Sequence, residues 1–270
     1  VPFRNKRSEP RNFLTPLQMD RTQTSVSALI GADNIATPHI THRDNLPIAM
    51  APWEASGAAG GILSSTDDML KWLDVQLNPG VAEDNGIFPK AARTLTMKPH
   101  NAIGGNNFYS AGLGWFLYIK DGQRMVTHGG GYDGMYSRVL MIPEKNIGVV
   151  VLTNSMTGLS SAVANYIRDT YLDSDTSGWL DRATKQELEG HEIWKAKFIK
   201  PQASRISGTT PSIDKTLMIG NYQDPLYGKV SVETDDKGNL SINFEGAPAL
   251  SAHLSHWHYD TWKIDWNEEH

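Results

Sequence analysis

The sequence predicts an α+β fold, in which an antiparallel sheet with helices is followed by a small β-rich domain. Three observations support this prediction. Within Arg124–Thr153, short apolar segments are separated by turn residues, as is typical of consecutive strands. Earlier in the chain, Met69, Trp72 and Leu73 recur at helical spacing. From Ile219 onward, apolar and polar residues alternate around turn signals, which indicates a second, β-rich region.

The central run contains three predicted strands, Arg124–His128, Tyr136–Ile142 and Gly148–Thr153. Pro143–Asn146 has the composition of a tight reversal, so the last two strands should pair as an antiparallel hairpin. The first strand leads into a glycine-rich turn. This run is therefore predicted to be the core of the sheet.

The candidate site lies at the end of the first strand. His128 is the candidate catalytic residue, and Gly129, Gly130 and Gly131 are the candidate substrate-binding residues. Because glycine has no Cβ, a substrate carbonyl could lie close to main-chain N–H groups there. The alternative is that His128 is a strand-end residue held by backbone hydrogen bonds.

Two helices are predicted before this run. Ser65 is a predicted N-cap with Asp68 three residues later, so a helix should begin there. Pro89–Met97 should form a second helix that starts with proline.

Two further elements are predicted from periodicity. Ser160–Leu172 should be a helix with an apolar stripe that covers one face of the sheet. The stripe consists of Val163, Ile167 and Tyr171. Tyr109–Tyr118 is interpreted as one strand.

Composition excludes several classes of function. The net charge is −5, and no extended basic cluster is present, so nucleic acid is not a predicted partner. The chain has no cysteine, which excludes disulfides and thiolate chemistry.

Two groups of histidines have a spacing that could suit a metal ion. His39 and His42 lack an evident third ligand. In the group His253, His256 and His258, alternation along a strand would point the first away from the other two. The sequence therefore predicts no metal and no cofactor.

Five segments, in a consistent order, carry a family resemblance. His128-Gly129-Gly130 resembles the third motif of the serine β-lactamase and penicillin-binding-protein superfamily, in its esterase and class C β-lactamase-like branch. Thr15–Thr22 is similar to the family's "PLGM..T" segment, and Ala59–Trp72 to its "aGGl.St..DM..w" segment. Gly112–Trp115 and Leu152–Asn154 match its "GlGw" and "ltN" segments. The resemblance implies a β-lactamase/transpeptidase-like fold.

The same resemblance implies a serine hydrolase that acts on ester, peptide or β-lactam carbonyls through an acyl-enzyme. Gly131 would supply an oxyanion-stabilising N–H, and His128 would occupy the place of the motif lysine. Because histidine is often neutral where lysine is charged, this departure favours esters or peptides over anionic substrates. The family also implies a periplasmic or secreted protein.

The family's nucleophile motif Ser-X-X-Lys and its Tyr-X-Asn motif are not found before the "PLGM"-like segment. Ser212–Lys215 fits the first pattern but lies far downstream, so it is not interpreted as the nucleophile. Ser64 and Ser65 lack a lysine three residues later. The chain is therefore expected to be the C-terminal part of such a hydrolase and inactive alone. A complementing N-terminal segment, or self-association through Val149–Leu152, is the expected partner.

The segments Gly220–Gly228 and Leu254–Thr261 resemble the small lipocalin-like β domain that is often appended to this family, which implies a β-barrel-like domain. The predicted organisation is therefore a hydrolase-like domain over residues 1–175, a linker with an amphipathic helix over 176–212, and a lipocalin-like β domain, incomplete at its end, over 213–270. A small molecule or peptide is the expected substrate of the intact enzyme. The alternative is a non-catalytic fragment or a ligand-binding or partner-binding module.

Overall fold

The computed structural model describes residues 13–41, 45–51, 56–78, 80, 88–104, 109–198, 200–248 and 250–267. The chain divides into two compact units, residues 1–189 and 190–270. The predicted domain bounds stay a prediction. Within the described ranges, no helix combines the length and the apolar character needed to cross a membrane.

The helices and strands are numbered in chain order. Helices α1 to α6 are Gly57–Gly60, Thr66–Leu77, Lys90–Thr96, Leu159–Tyr171, Trp179–Phe198 and Lys200–Ala203. Strands β1 to β8 are His39–Ile40, Leu46–Pro47, Asn101–Ala102, Tyr109–Ala111, Phe116–Lys120, Gln123–Tyr132, Met135–Ile142 and Ile147–Thr153. Strands β9 to β13 are Gly220–Asp224, Gly228–Thr234, Leu240–Phe244, Ser251–His258 and Thr261–Trp266.

The first unit is built on a six-stranded antiparallel sheet with the strand order β3-β4-β5-β6-β7-β8. The predicted α+β class is confirmed. The hairpin of β7 and β8 is also confirmed: Pro143–Lys145 forms a single 3₁₀ turn between them, and Asn146 closes it in the left-handed region at φ 52°.

The sequence predicted a turn at the glycine triplet, and this prediction is wrong. Gly129, Gly130 and Gly131 lie within β6 and pair with β7. The chain reverses later, at Asp133-Gly134, where Gly134 has φ +75°. A Cβ at Gly134 would lie 2.7 Å from the backbone nitrogen of His39, so this turn requires glycine for packing as well as conformation.

The prediction of one strand over Tyr109–Tyr118 is also wrong. The segment forms β4 and β5, which pair with each other and place Tyr109 opposite Tyr118. The chain reverses around Gly114, whose φ of +77° suits a residue without a Cβ. The alternating apolar residues were predicted to share a buried face. Trp115 and Leu117 are buried, but Ile119 is 51% exposed.

One face of the sheet packs against α2. Leu73 of this helix joins a buried cluster with Val126 and Met141. Gly148 on β8 allows the helix to come close, because a Cβ there would lie 2.9 Å from Cδ1 of Leu77. The predicted helix with Ser65 as N-cap is confirmed, since the Asp68 N–H donates to Ser65 Oγ at 3.3 Å.

The opposite face packs against α4. Of the predicted stripe, Val163 and Ile167 are half-buried, but Tyr171 is exposed. Tyr171 is 67% exposed, whereas the charged residues Arg168 and Asp169 are buried. Arg168 donates two hydrogen bonds to the Asp169 carboxylate, at 2.7 and 2.9 Å, and a third to the hydroxyl of Tyr118 at 2.9 Å. Trp179 donates to the same carboxylate at 2.7 Å. The ion pair is tolerated in the interior because these bonds satisfy it.

A second buried carboxylate, Asp68, joins two distant segments. Its Oδ2 accepts from the Arg21 N–H at 2.9 Å and from Thr22 Oγ1 at 2.8 Å, and its Oδ1 accepts from Lys71 Nζ at 3.0 Å. Burial opposes the charged form, but the bonds from Lys71, Thr22 and Arg21 outweigh it and lower the pKa of Asp68. We name these contacts, together with Ser64, the Asp68 network.

The second unit contains a five-stranded antiparallel sheet in which consecutive strands are neighbours. Val232, Leu240 and Ala252 are buried on one face. In the part of this unit that the structure describes, β9 and β13 are edge strands. The lipocalin-like character stays a prediction.

The predicted linker region contains α5, as expected for an amphipathic helix. Farther along, the Arg205 side chain donates to the carbonyls of Trp257 and His256 at 2.8 and 3.0 Å. The Ser212 N–H donates to Asp260 at 2.6 Å. Residues 205–212 are thus held against the β12–β13 hairpin of their own unit.

Replacing Asp68 with Ala should lower the free energy of unfolding by about 3 kcal/mol, because buried donors lose their acceptor. The matched control is the exposed Asp67→Ala in the same helical turn, which should cost less than about 1 kcal/mol. Urea unfolding measures both. Equal effects of the two substitutions would contradict the structural role of the network.

The same carboxylate predicts a dependence of stability on pH. Since the folded pKa of Asp68 is lowered, its contribution is present above the unfolded pKa of about 3.9 and is lost as the pH falls through the folded value. Below about pH 4, the difference in free energy of unfolding between the native chain and Asp68→Asn should therefore shrink. A difference that is constant from pH 7 to pH 3 would count against this.

Candidate active site

A cavity of about 770 Å³ lies in the first unit, on the side of the sheet that faces α2. One wall is the glycine-containing end of β6 with the start of β7, and the other is the segment that precedes and begins α2. Much of the remaining lining is apolar, with Leu29, Ile35, Met50, Ile62, Leu63, Met135 and Leu152. Such a volume suits a small molecule or a short peptide segment.

Three of the four sequence-predicted site residues line this cavity. Gly129, Gly130 and Gly131 form part of the strand wall. The structure gives a packing reason for these glycines that the sequence did not. A Cβ at Gly130 would lie 2.6 Å from Ser137 Oγ, and one at Gly131 would lie 2.7 Å from Cε1 of Tyr136.

The backbone of this wall extends beyond its neighbour. Pairing between β5 and β6 ends at Phe116 and Thr127. On that side, Gly129, Gly130 and Gly131 have no strand partner among the described residues. A backbone edge without strand partners at the wall of a cavity is the arrangement that can hold a negatively charged oxygen by main-chain N–H groups.

His128 lies beside the cavity rather than in its lining. Its ring is exposed and stacks on Phe116, with ring centroids 5.3 Å apart. Nδ1 is 2.6 Å from the carbonyl oxygen of Gly129. A carbonyl can only accept, so Nδ1 carries the proton and Nε2 is the nitrogen with the free lone pair in the neutral ring. The catalytic role of His128 stays a prediction.

The opposite wall contains Ser64 and Ser65. Ser65 caps α2, which explains this serine structurally. Ser64 Oγ lies 2.8 Å from Thr22 Oγ1, which itself contacts the Asp68 carboxylate. The polar groups of this wall therefore belong to the Asp68 network. From the sequence, Thr22 and Ser64 belong to two separate motif segments, Thr15–Thr22 and Ala59–Trp72. The sequence did not indicate that these two segments are in contact at the cavity.

Asn154 was also missed as a site residue, although it ends the recognised "ltN" segment. It lines the cavity just after β8. Its Nδ2 donates to the Thr37 carbonyl at 2.9 Å, and its own carbonyl contacts His39 Nδ1 at 3.1 Å. Asn154 therefore positions the segment before β1 at the edge of the cavity.

The other candidates have structural contacts. Lys215 Nζ donates to the carbonyl of Gly238, in the second unit. His256 Nε2 contacts the Tyr259 carbonyl at 2.7 Å, and His258 Nδ1 accepts from the Ile206 N–H at 3.3 Å. Among described residues, no group of three or more acidic or histidine side chains could hold a metal. His42 lies outside the described residues.

Comparison with known families agrees with the resemblance drawn from the motifs. The family model described as Beta-lactamase matches residues 8–172, which is more than half of the chain. The chain belongs to the beta-lactamase family. A second model, described as a domain of unknown function (DUF3471), matches residues 204–270.

Two curated relatives illustrate the similarity. The chain is 27% identical over 245 residues to the unguisins hydrolase ungD' of Aspergillus campestris, covering 83% of this chain and 44% of that protein. It is 29% identical over 154 residues to protein flp of Staphylococcus aureus, covering 53% of this chain and 27% of that protein. The chain thus spans less than half the length of either.

A solved structure supports the fold. The octameric penicillin-binding protein homologue from Pyrococcus abyssi matches 90% of this chain and 49% of its own, with a TM-score of 0.53 and 22% identity. At this identity, the likeness concerns the fold alone.

Replacing Gly131 with Ala should lower the free energy of unfolding by about 2 kcal/mol, because the new methyl group meets the Tyr136 ring. The matched control is Gly60→Ala, since a Cβ at Gly60 has nothing within 4 Å. Chemical denaturation checks both. Adding Tyr136→Ser to Gly131→Ala should recover most of the loss, and the absence of recovery would show that the cross-strand contact is not the reason for glycine.

Proposed function

We propose that this chain supplies one part of a serine hydrolase active site that transfers acyl groups from ester or amide carbonyls to water. The observation that carries the proposal is the glycine edge of β6, which has no strand partner on its β5 side among the described residues where it borders the cavity. In acyl transfer, negative charge develops on the carbonyl oxygen, and fixed backbone N–H groups stabilise it without reorganisation.

In this proposal, Gly131 donates its N–H to the oxyanion. His128 would assist proton transfer through Nε2, which its contact with the Gly129 carbonyl leaves available. The lining is mostly apolar, and its charged residues are two carboxylates, Asp20 and Asp33, and one cation, Arg21. The excess of carboxylates supports neutral esters or peptides over anionic substrates.

The nucleophile belongs to another segment in this proposal. The sequence contains Ser-X-X-Lys only at Ser212–Lys215, whose backbone and lysine make structural contacts in the second unit. We therefore propose that the chain alone is inactive and that a segment with Ser-X-X-Lys and Tyr-X-Asn completes the site.

The edge of β8 supports such a partner. In the described part of the sheet, Val149, Val150, Val151 and Leu152 pair only with β7, while α2 and α4 cover the two faces. An apolar strand with one open edge can accept another strand. The complementing segment, or a second copy of the chain, would pair there.

Export to the periplasm or outside the cell is also proposed, on the family resemblance alone.

The competing function is a binding module without turnover. The volume and the mainly apolar lining of the cavity favour this alternative, since they suit a ligand whether or not a nucleophile is supplied.

To distinguish the two, the chain is mixed with a separately made polypeptide from the coding sequence immediately upstream, and p-nitrophenyl acetate hydrolysis is followed. The chain alone should give neither burst nor turnover, and the mixture should give both. Turnover by the chain alone that disappears in Ser212→Ala would overturn the proposal. Binding without turnover in every mixture would favour the binding module.

In the reconstituted enzyme, His128→Ala should reduce kcat by about 10²-fold, the usual effect of removing a general acid or base. The matched control is His253→Ala, an exposed histidine in the second unit, which should leave kcat unchanged. An equal kcat in native and His128→Ala enzymes would assign this histidine a purely structural role.

A further inference from the structure

The position of one proton in the Asp68 network determines what the cavity can bind. Thr22 Oγ1 lies 2.8 Å from Asp68 Oδ2. An ionised carboxylate can only accept hydrogen bonds, so Thr22 uses its single hydroxyl proton in this contact. Thr22 therefore has only lone pairs left for other neighbours.

Ser64 is the next member of the chain of hydroxyls. Its Oγ lies 2.8 Å from Thr22 Oγ1, a normal length for a hydrogen bond between hydroxyls. Because the proton of Thr22 is already used, Ser64 must be the donor. The competing acceptor, the Ser65 carbonyl, is 3.4 Å away, which is too long to win the same proton.

Ser64 also lines the cavity. With its proton directed to Thr22, its oxygen can offer only lone pairs to a ligand. The hydroxyl, which normally both donates and accepts, is thereby fixed as an acceptor. A ligand group facing Ser64 must carry an N–H or O–H.

The strand wall, in contrast, can supply donors. Ser137 lines the cavity from β7, and its hydroxyl makes no hydrogen bond to another described residue. This hydroxyl and the backbone edge at Gly131 can both donate. A cavity with an acceptor on one wall and donors on the other matches a group that carries both an N–H and a carbonyl.

We propose that the cavity is selective for secondary amides, as in a peptide, with Ser64 accepting the amide N–H and the strand wall binding a carbonyl. This inference rests on the proposed function and deepens it, since it chooses peptides over esters. An ester offers only oxygen lone pairs to Ser64, which places acceptor against acceptor. The specificity comes from this mismatch.

The test compares three probes in NMR titrations of the full chain: N-hexylacetamide, N-hexyl-N-methylacetamide and hexyl acetate. They share an apolar tail and an acetyl group, and only the first has an N–H. The secondary amide should bind about fivefold more tightly than the other two, as expected for one net hydrogen bond. Equal affinities for all three would overturn the role of Ser64.

Two variants locate the effect. Ser64→Ala should bind all three probes alike, because the acceptor is gone while the contact between Thr22 and Asp68 remains. Thr22→Val removes the acceptor for the Ser64 proton, so Ser64 becomes free to donate and the preference for the N–H should disappear or reverse. Retained fivefold selectivity in Ser64→Ala would overturn the inference. Ser137→Ala is the matched control on the opposite wall and should weaken all three probes without removing the selectivity.

The outcomes separate this inference from the proposed function. Equal binding of the three probes overturns amide selectivity and leaves acyl transfer standing. Selective binding together with failed reconstitution supports the acceptor role of Ser64 and overturns the hydrolase proposal. Binding of none of the probes overturns the inference, while reconstituted turnover would still stand as a separate result.

Discussion

The buried carboxylate of Asp68 holds together the wall of the cavity that faces the glycine strand. Its bonds to Arg21 and Thr22 join a turn near the start of the described chain to the first turn of α2, 46 residues or more away. The cost of desolvating this charge is met only because its neighbours supply several donors at once. Loss of this carboxylate would release the segment that carries Ser64, and with it the acceptor side of the cavity.

The opposite wall depends on the pairing of β6 with β7. Side chains of β7 occupy the space where Cβ atoms of the glycines would lie, so the glycines are required by the sheet itself. On the other side of β6, pairing with β5 ends at Thr127, so among the described residues no strand covers the backbone edge of the glycines. One structural arrangement therefore accounts for both the composition of the motif and the chemistry that it offers.

Some expectations failed because local patterns do not say what a residue packs against. The apolar stripe of α4 was predicted to be buried, but its last member, Tyr171, is exposed, and the charged residues Arg168 and Asp169 of the same helix are buried. Their burial depends on Tyr118 and Trp179, which come from separate elements. No pattern within the helix contains that information.

The sequence by itself determined the α+β class, the β7–β8 hairpin, the cap of α2 by Ser65 and the family, because these follow from periodicity, turn chemistry and ordered motifs within short segments. It also identified three glycines of the cavity wall. Only the tertiary structure decided that the glycine segment is a strand and that His128 lies beside the cavity. It alone brought Thr22 and Ser64 together, since the direction of a shared proton depends on contacts between residues far apart in the chain.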